Sequence, residues 1–188
     1  MKPVLDYALG RPDVDPERLA AYGISAGGYM IPRAAAHDRR IKACIANAII
    51  LDMHELFRDS GAVKLSRPMV RAWANRKMPF AVRMVELYLW RLGMDMDHVS
   101  GYVERHRGFS VDPARISCPT LILVGEGEYA NARSRSQQDR AMELLPDPRK
   151  KLVVGPANEG AATHCMGENV GLMSALVFDW LDEVFAAG

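Results

Sequence analysis

Apolar residues in this chain fall into short, nearly unbroken runs, and helical periodicity occupies the stretches between them. Residues 18–24, 41–50, 119–125 and 151–155 are the runs. The second and third carry almost no charge, the pattern of parallel strands buried on both faces. Before the first run, residues 3–10 read as the end of a helix closed by Gly10 and Pro12, and between the first two, residues 26–37 read as a helix that Pro32 bends. Residues 132–145 form another helix. A last one over 168–185 places Val170, Met173, Val177, Trp180 and Val184 on one face. Strands alternating with helices predict an α/β fold with a parallel sheet and right-handed crossovers.

The interval 52–113 breaks that alternation. It is too long for one crossover and reads as short helices around Leu56, Trp73, Leu87 and Val103. Three segments follow: core elements over 1–51, a helical cap or lid insertion over 52–113, and the remaining core over 114–188. The insertion is rich in soft, bulky side chains: Met69, Trp73, Met78, Phe80, Met84, Tyr88, Trp90, Met94 and Met96. Methionines adapt to irregular apolar ligands, so a cap over a binding site is expected. The competing reading is a helical subdomain whose bulky residues fill its own core. Arg67, Arg71, Arg76, Arg83 and Arg91 read as a solvated face.

Composition narrows the function classes. A net charge of +1 over 188 residues points to neither nucleic acid nor an acidic surface. No basic start with an apolar run marks a signal peptide, and no stretch reaches membrane-spanning length. Cys44, Cys118 and Cys165 are scattered and lack metal-ligand spacing, which suits a reduced cytoplasm and predicts no metal. Cys165 follows His164 directly; adjacent side chains rarely face each other, so it is expected to be a plain small neighbour.

The chemistry concentrates in three loops. Tyr22-Gly-Ile-Ser25-Ala-Gly27-Gly28 has the G-x-S-x-G form, entered by an apolar strand and left by a helix. That context mounts a serine on a strained strand-to-helix turn, with Gly23 and Gly27 allowing strand and helix to approach. An alcohol is hardly ionised at neutral pH, so Ser25 needs a base. His164 lies in a Gly/Ala-rich loop after the fourth strand, whereas His37, His54, His98 and His106 fall in helices or the insertion. The loop after the third strand offers Glu126 and Glu128 as the acid that orients the imidazole. Glu128 is preferred, Glu126 is its nearest competitor and Glu159 a third candidate. The N–H of Ala26, just after the serine, is expected to donate to an oxyanion.

These pieces resemble the α/β-hydrolase superfamily. They look most like the group holding 2,6-dihydroxypseudooxynicotine hydrolase and the fungal pigment hydrolases that shorten polyketide chains. Gly-Ile-Ser25-Ala-Gly-Gly-Tyr, Cys118-Pro-Thr-Leu-Ile-Leu-Val-Gly-Glu-Gly-Glu128 and Gly-Ala-Ala-Thr-His164-Cys carry the likeness. It implies hydrolysis, without cofactor, of an ester-like or carbon–carbon bond next to a carbonyl in a small-molecule substrate. The insertion favours a bulky apolar or aromatic one. Prolyl-oligopeptidase-like peptidases share the serine's surroundings. In the superfamily the elbow follows the fifth strand of eight, yet 24 residues precede Ser25 here. The chain thus resembles the C-terminal half of the fold, without the N-terminal strands and the loop that supplies a second oxyanion donor. An exposed elbow-strand edge predicts a homo-oligomer or a partner chain there. The alternative to an enzyme is a non-catalytic subunit needing that partner.

Overall fold

The apolar runs form β1 (Ala20–Ile24), β2 (Ala43–Asn47), β3 (Thr120–Gly125) and β4 (Lys151–Gly155). They pair in parallel in the order β1-β2-β3-β4, with Tyr22 beside Ile45, Ile45 beside Leu121 and Leu121 beside Lys151. The computed structural model describes residues 1–58 and 62–186. They divide into two units, residues 1–51 with 111–188, and residues 52–110. The helices in chain order are α1 (Lys2–Leu9), α2 (Gly27–Ala35), α3 (Met53–Arg58), α4 (Pro68–Lys77) and α5 (Pro79–Trp90). After them come α6 (Val99–Arg105), α7 (Glu126–Tyr129), α8 (Ala132–Leu144) and α9 (Val170–Ala186).

In the first unit every residue of β2 and β3 is buried, as their unbroken apolar character requires of central strands. Side chains alternate across the sheet. Ala43, Ile45, Leu121 and Leu123 pack with Met173, Val177, Trp180 and Val184 of α9. Gly23 of β1 faces α2 instead, against Gly27 and Ile31. Val170, expected on the buried face of the last helix, is exposed, because α9 only begins there. β1 starts two residues later than expected. The Asp15 carboxylate accepts the Glu17 N–H and winds Pro16–Arg18 into a 3-10 turn.

Pro32 lies inside α2 and has no N–H to offer the Gly28 carbonyl. Ile50 N–H takes that carbonyl at 3.0 Å, tying the helix to the segment after β2.

The second unit packs α4, α5 and α6 around Leu65, Ala74, Val82, Leu89, Val99 and Val103. Met69, Trp73, Met78, Phe80 and Trp90 are exposed, so these five do not fill its core. Arg71 pairs with Asp97 and Arg83 with Glu86, while Arg91 lies over the Tyr88 ring. Among the described residues, no helix is long and apolar enough to cross a membrane.

Candidate active site

Three loops at the carboxyl ends of β1, β3 and β4 converge, the place where parallel α/β sheets hold their ligands. Ser25 follows β1 with φ +58°, a left-handed conformation uncommon for a residue with a β-carbon. Its N–H donates to the Asn47 carbonyl at 3.1 Å, which fixes the turn against the end of β2.

Gly23 does the work expected of it, and Gly27 does not. A β-carbon on Gly23 would sit 2.1 Å from the Gly27 carbonyl oxygen, and one on Gly28 would sit 2.2 Å from that of Ala48. Gly27 itself faces open space. Close approach is therefore enforced at Gly23 and Gly28, and Gly27 contributes its backbone alone.

Ser25 Oγ lies 2.8 Å from His164 Nε2, and His164 Nδ1 lies 2.7 Å from Glu128 Oε1. The second Glu128 oxygen accepts the Cys165 N–H at 3.0 Å. Glu126 points elsewhere, its Oε2 accepting the Ala157 N–H at 2.7 Å. Glu159 is exposed and offers its backbone carbonyl to Asn169. Glu128 stands on α7, a helical turn where the sequence suggested an open loop. The Gly127 N–H anchors that turn to the Ala162 carbonyl at 3.0 Å. The Ala26 N–H donates to no protein acceptor among the described residues, which leaves it available to a ligand. The other histidines are engaged locally: His37 with Arg115, His54 with Glu104, His98 with Asp95 and His106 with the Tyr102 carbonyl.

Cys165 is not the bystander the sequence suggested. It and Met166 both adopt left-handed backbone angles, φ +57° and +56°, which swing the thiol back under the preceding ring. Its Sγ lies 3.5 Å from His164 Nε2 and donates to the Asn47 carbonyl at 3.6 Å. The Cys165 thiol and the Glu128 carboxylate together push the His164 pKa from 6.5 up to about 10, while burial pulls it down.

Glu128, His164 and Cys165 also form a cluster of metal-ligating types, with one donor atom from each within 4.8 Å of the others. Glu128 and Ser25 already engage the two ring nitrogens, so an ion would have to displace one of these hydrogen bonds.

Sequence reasoning passed over Asn47, the fully buried amide that closes β2. Its signal was a lone polar residue inside the apolar run 41–50.

The fold has counterparts among known proteins. The crystal structure of 2,6-dihydroxy-pseudo-oxynicotine hydrolase superimposes with a TM-score of 0.62 at 22% identity, over 100% of this chain and 46% of that one. The structure of AbyA5 gives a TM-score of 0.69 at 13% identity, over 98% of this chain and 47% of that one. The chain has the α/β-hydrolase fold. The family model described as prolyl oligopeptidase family matches residues 2–79. A similar curated protein is the 20-hydroxy-prefusarin hydrolase FUS2 of Gibberella moniliformis (strain M3125 / FGSC 7600). It is 27% identical over 192 residues, which cover 93% of this chain and 45% of that protein. The likeness to the pseudooxynicotine and fungal hydrolases thus extends over nearly the whole chain, and the chain spans about half the length of these relatives.

Proposed function

We propose that this α/β-hydrolase chain carries the Ser25–His164–Glu128 relay of a serine hydrolase, acting next to a carbonyl of a bulky apolar or aromatic substrate. The observation that carries the reading is the unbroken hydrogen-bonded path from Ser25 Oγ through the imidazole to Glu128. Once His164 Nε2 has lost its proton, it takes the one on Ser25 as Oγ bonds to the substrate carbonyl carbon. The negative charge forming on the carbonyl oxygen is met by the Ala26 N–H. Collapse breaks the bond to the leaving group, which takes the proton from His164 and departs as an alcohol or, for a carbon–carbon bond, as a carbon acid. Water then repeats the sequence on the acyl-enzyme. Glu128 holds Nδ1–H throughout.

The substrate class is supported by the second unit, which holds a cavity of about 490 Å³ lined by Val70, Trp73, Met84, Tyr88 and Tyr102, with Lys64. Such a lining suits an apolar or aromatic group. The match to the prolyl oligopeptidase model supports a peptidase as the alternative chemistry, and aryl esters assayed beside peptide anilides separate the two.

A fluorophosphonate probe tests the relay. Wild-type chain is expected to label at Ser25 and Ser25→Ala to remain unlabelled; equal labelling of the two removes Ser25 from the role.

A second reading rests on the open edge of β1, where Tyr22 and Ile24 are 37% and 48% exposed. Unpaired strand edges recruit strands from other chains. In this reading the chain is a non-catalytic subunit, completed by a second copy or another polypeptide. Light scattering combined with the labelling experiment discriminates: an assembled, unlabelled chain favours the subunit, and a labelled monomer removes it.

A further inference from the structure

We infer that Asn47 is a positioning residue of this site, setting the histidine loop by holding the Cys165 carbonyl; the inference rests on the relay reading above. Asn47 is fully buried at the end of a strand whose other residues are Ala43, Cys44, Ile45 and Ala46. An amide in such surroundings carries a desolvation cost that only hydrogen bonds offset. Nδ2 donates to the Cys165 carbonyl at 2.8 Å and also contacts Tyr22 Oη at 3.2 Å and Met173 Sδ at 3.1 Å. The amide orientation is determined, because the flipped group would set Oδ1 against the Cys165 carbonyl oxygen. Oδ1 has no hydrogen-bond partner among the described residues, so the polar contacts of the side chain are those of Nδ2.

The backbone of the same residue completes the link. The Asn47 carbonyl accepts the Ser25 N–H and the Cys165 thiol. Asn47 therefore grips the serine turn with its main chain and the histidine loop with its side chain. Both are segments in left-handed conformations that persist only when their surroundings hold them. Because the Cys165 N–H also donates to Glu128, the peptide unit on each side of Cys165 is tied, one to Asn47 and one to Glu128. Releasing the first lets Cys165 rotate, which withdraws the thiol from the imidazole and the N–H from the carboxylate. A merely structural amide would affect stability without altering the imidazole.

The experiment reads His164 directly by NMR in the full chain, so it does not require turnover. Asn47→Leu keeps the volume and removes the donor, Asn47→Ala removes both, and Tyr22→Phe is the control that leaves the tether intact. In folded Asn47→Leu or Asn47→Ala, the His164 titration midpoint is expected to fall by about one unit and the hydrogen-bonded Nδ1–H resonance to disappear. At a pH above the midpoint, where the ring is neutral in every variant, Ser25 labelling is expected to slow roughly tenfold, the scale of one lost hydrogen bond. Tyr22→Phe is expected to match wild type in all three. A folded Asn47 variant with a wild-type His164 titration overturns the inference. If neither variant folds, a through-bond coupling from Asn47 Nδ2 to the Cys165 carbonyl carbon in the wild-type chain decides, and its absence overturns the tether. Glu128→Gln separates the two levels: if it leaves the His164 titration unchanged, the relay reading fails, whatever Asn47 does.

Discussion

Glu128 accepts the Cys165 N–H on one carboxylate oxygen at 3.0 Å, which aims the other at His164, the residue just before Cys165. A carboxylate gripped at one oxygen cannot swing freely at the other, so the loop that carries the base also orients the acid. Glu128 makes both contacts from the helical turn α7. The left-handed pair Cys165 and Met166 makes this possible, since an extended backbone there would turn the N–H away.

Glu128→Gln therefore carries the larger of two contrasting effects. An amide set to accept from Cys165 N–H presents its NH2 to Nδ1, which forces the wrong tautomer on the ring. Labelling of Ser25 by a fluorophosphonate is expected to slow by roughly 10²–10⁴. Glu126→Gln keeps an amide oxygen for the Ala157 N–H, so its labelling rate stays at the wild-type value and its stability changes by less than about 1 kcal/mol. Labelling kinetics on both variants check this; a slow Glu126→Gln beside a normal Glu128→Gln would move the acid.

The raised pKa of His164 has two consequences of defined sign. Its folded pKa, about 10, exceeds the ordinary 6.5, so the contribution of the charged ring to stability is complete below 6.5 and is lost as pH rises through 10. The Tm difference between wild type and His164→Gln is expected to be largest near pH 6 and to shrink toward pH 10.5. Base action needs the neutral ring, so Ser25 labelling rises with pH, with a midpoint well above 6.5. Cys165→Ala and Glu128→Gln each lower that midpoint, because each removes a group that favours the charged ring. A midpoint in Cys165→Ala equal to wild type would remove the thiol from the account.

Gly27 and Gly28 are adjacent and of opposite tolerance. A β-carbon on Gly28 meets the Ala48 carbonyl oxygen, a backbone atom that cannot step aside, whereas one on Gly27 meets nothing within 4 Å. Gly28→Ala is expected to destabilise the chain by about 2–3 kcal/mol or more. Gly27→Ala, at the start of α2, is expected to be neutral or stabilising by up to about 1 kcal/mol. Urea denaturation of the two variants checks the ordering.

The strands were legible because central parallel strands carry unbroken apolar runs: β2 and β3 lie inside residues 41–50 and 119–125 as read from sequence. The meeting of Ser25, Glu128 and His164 was legible for a topological reason, since all three follow strands of one parallel sheet. The contributions of Cys165 and Asn47 were not. The Cys165 thiol reaches its neighbour's ring only through left-handed backbone angles that a cysteine does not announce, and Asn47 matters through contacts more than a hundred residues away in sequence. The close approach at Gly28 was not read, and Gly27 was given one it does not have, because a motif shows where glycine stands and not which backbone atom it admits.

The cavity of the second unit gives the last prediction. Its lining is almost entirely apolar, with Trp73 and Met84 contributing large polarizable surfaces and Lys64 the one charge among the described residues. An aromatic anion such as 1-anilinonaphthalene-8-sulfonate matches that combination, its rings against Trp73 and its sulfonate toward Lys64. The wild-type chain is expected to bind it with enhanced fluorescence. Trp73 is half exposed, so Trp73→Ala removes binding surface at little cost to folding, and it is expected to weaken the dye roughly tenfold. Met84→Ala acts in the same direction and less strongly, and Lys64→Met reduces the salt dependence of binding because it removes the cation. Fluorescence titration at two salt concentrations reads all three. Binding that is unchanged in both Trp73→Ala and Met84→Ala places the dye elsewhere. If aryl-ester selectivity is also unchanged in these variants, the cavity has no part in choosing the substrate.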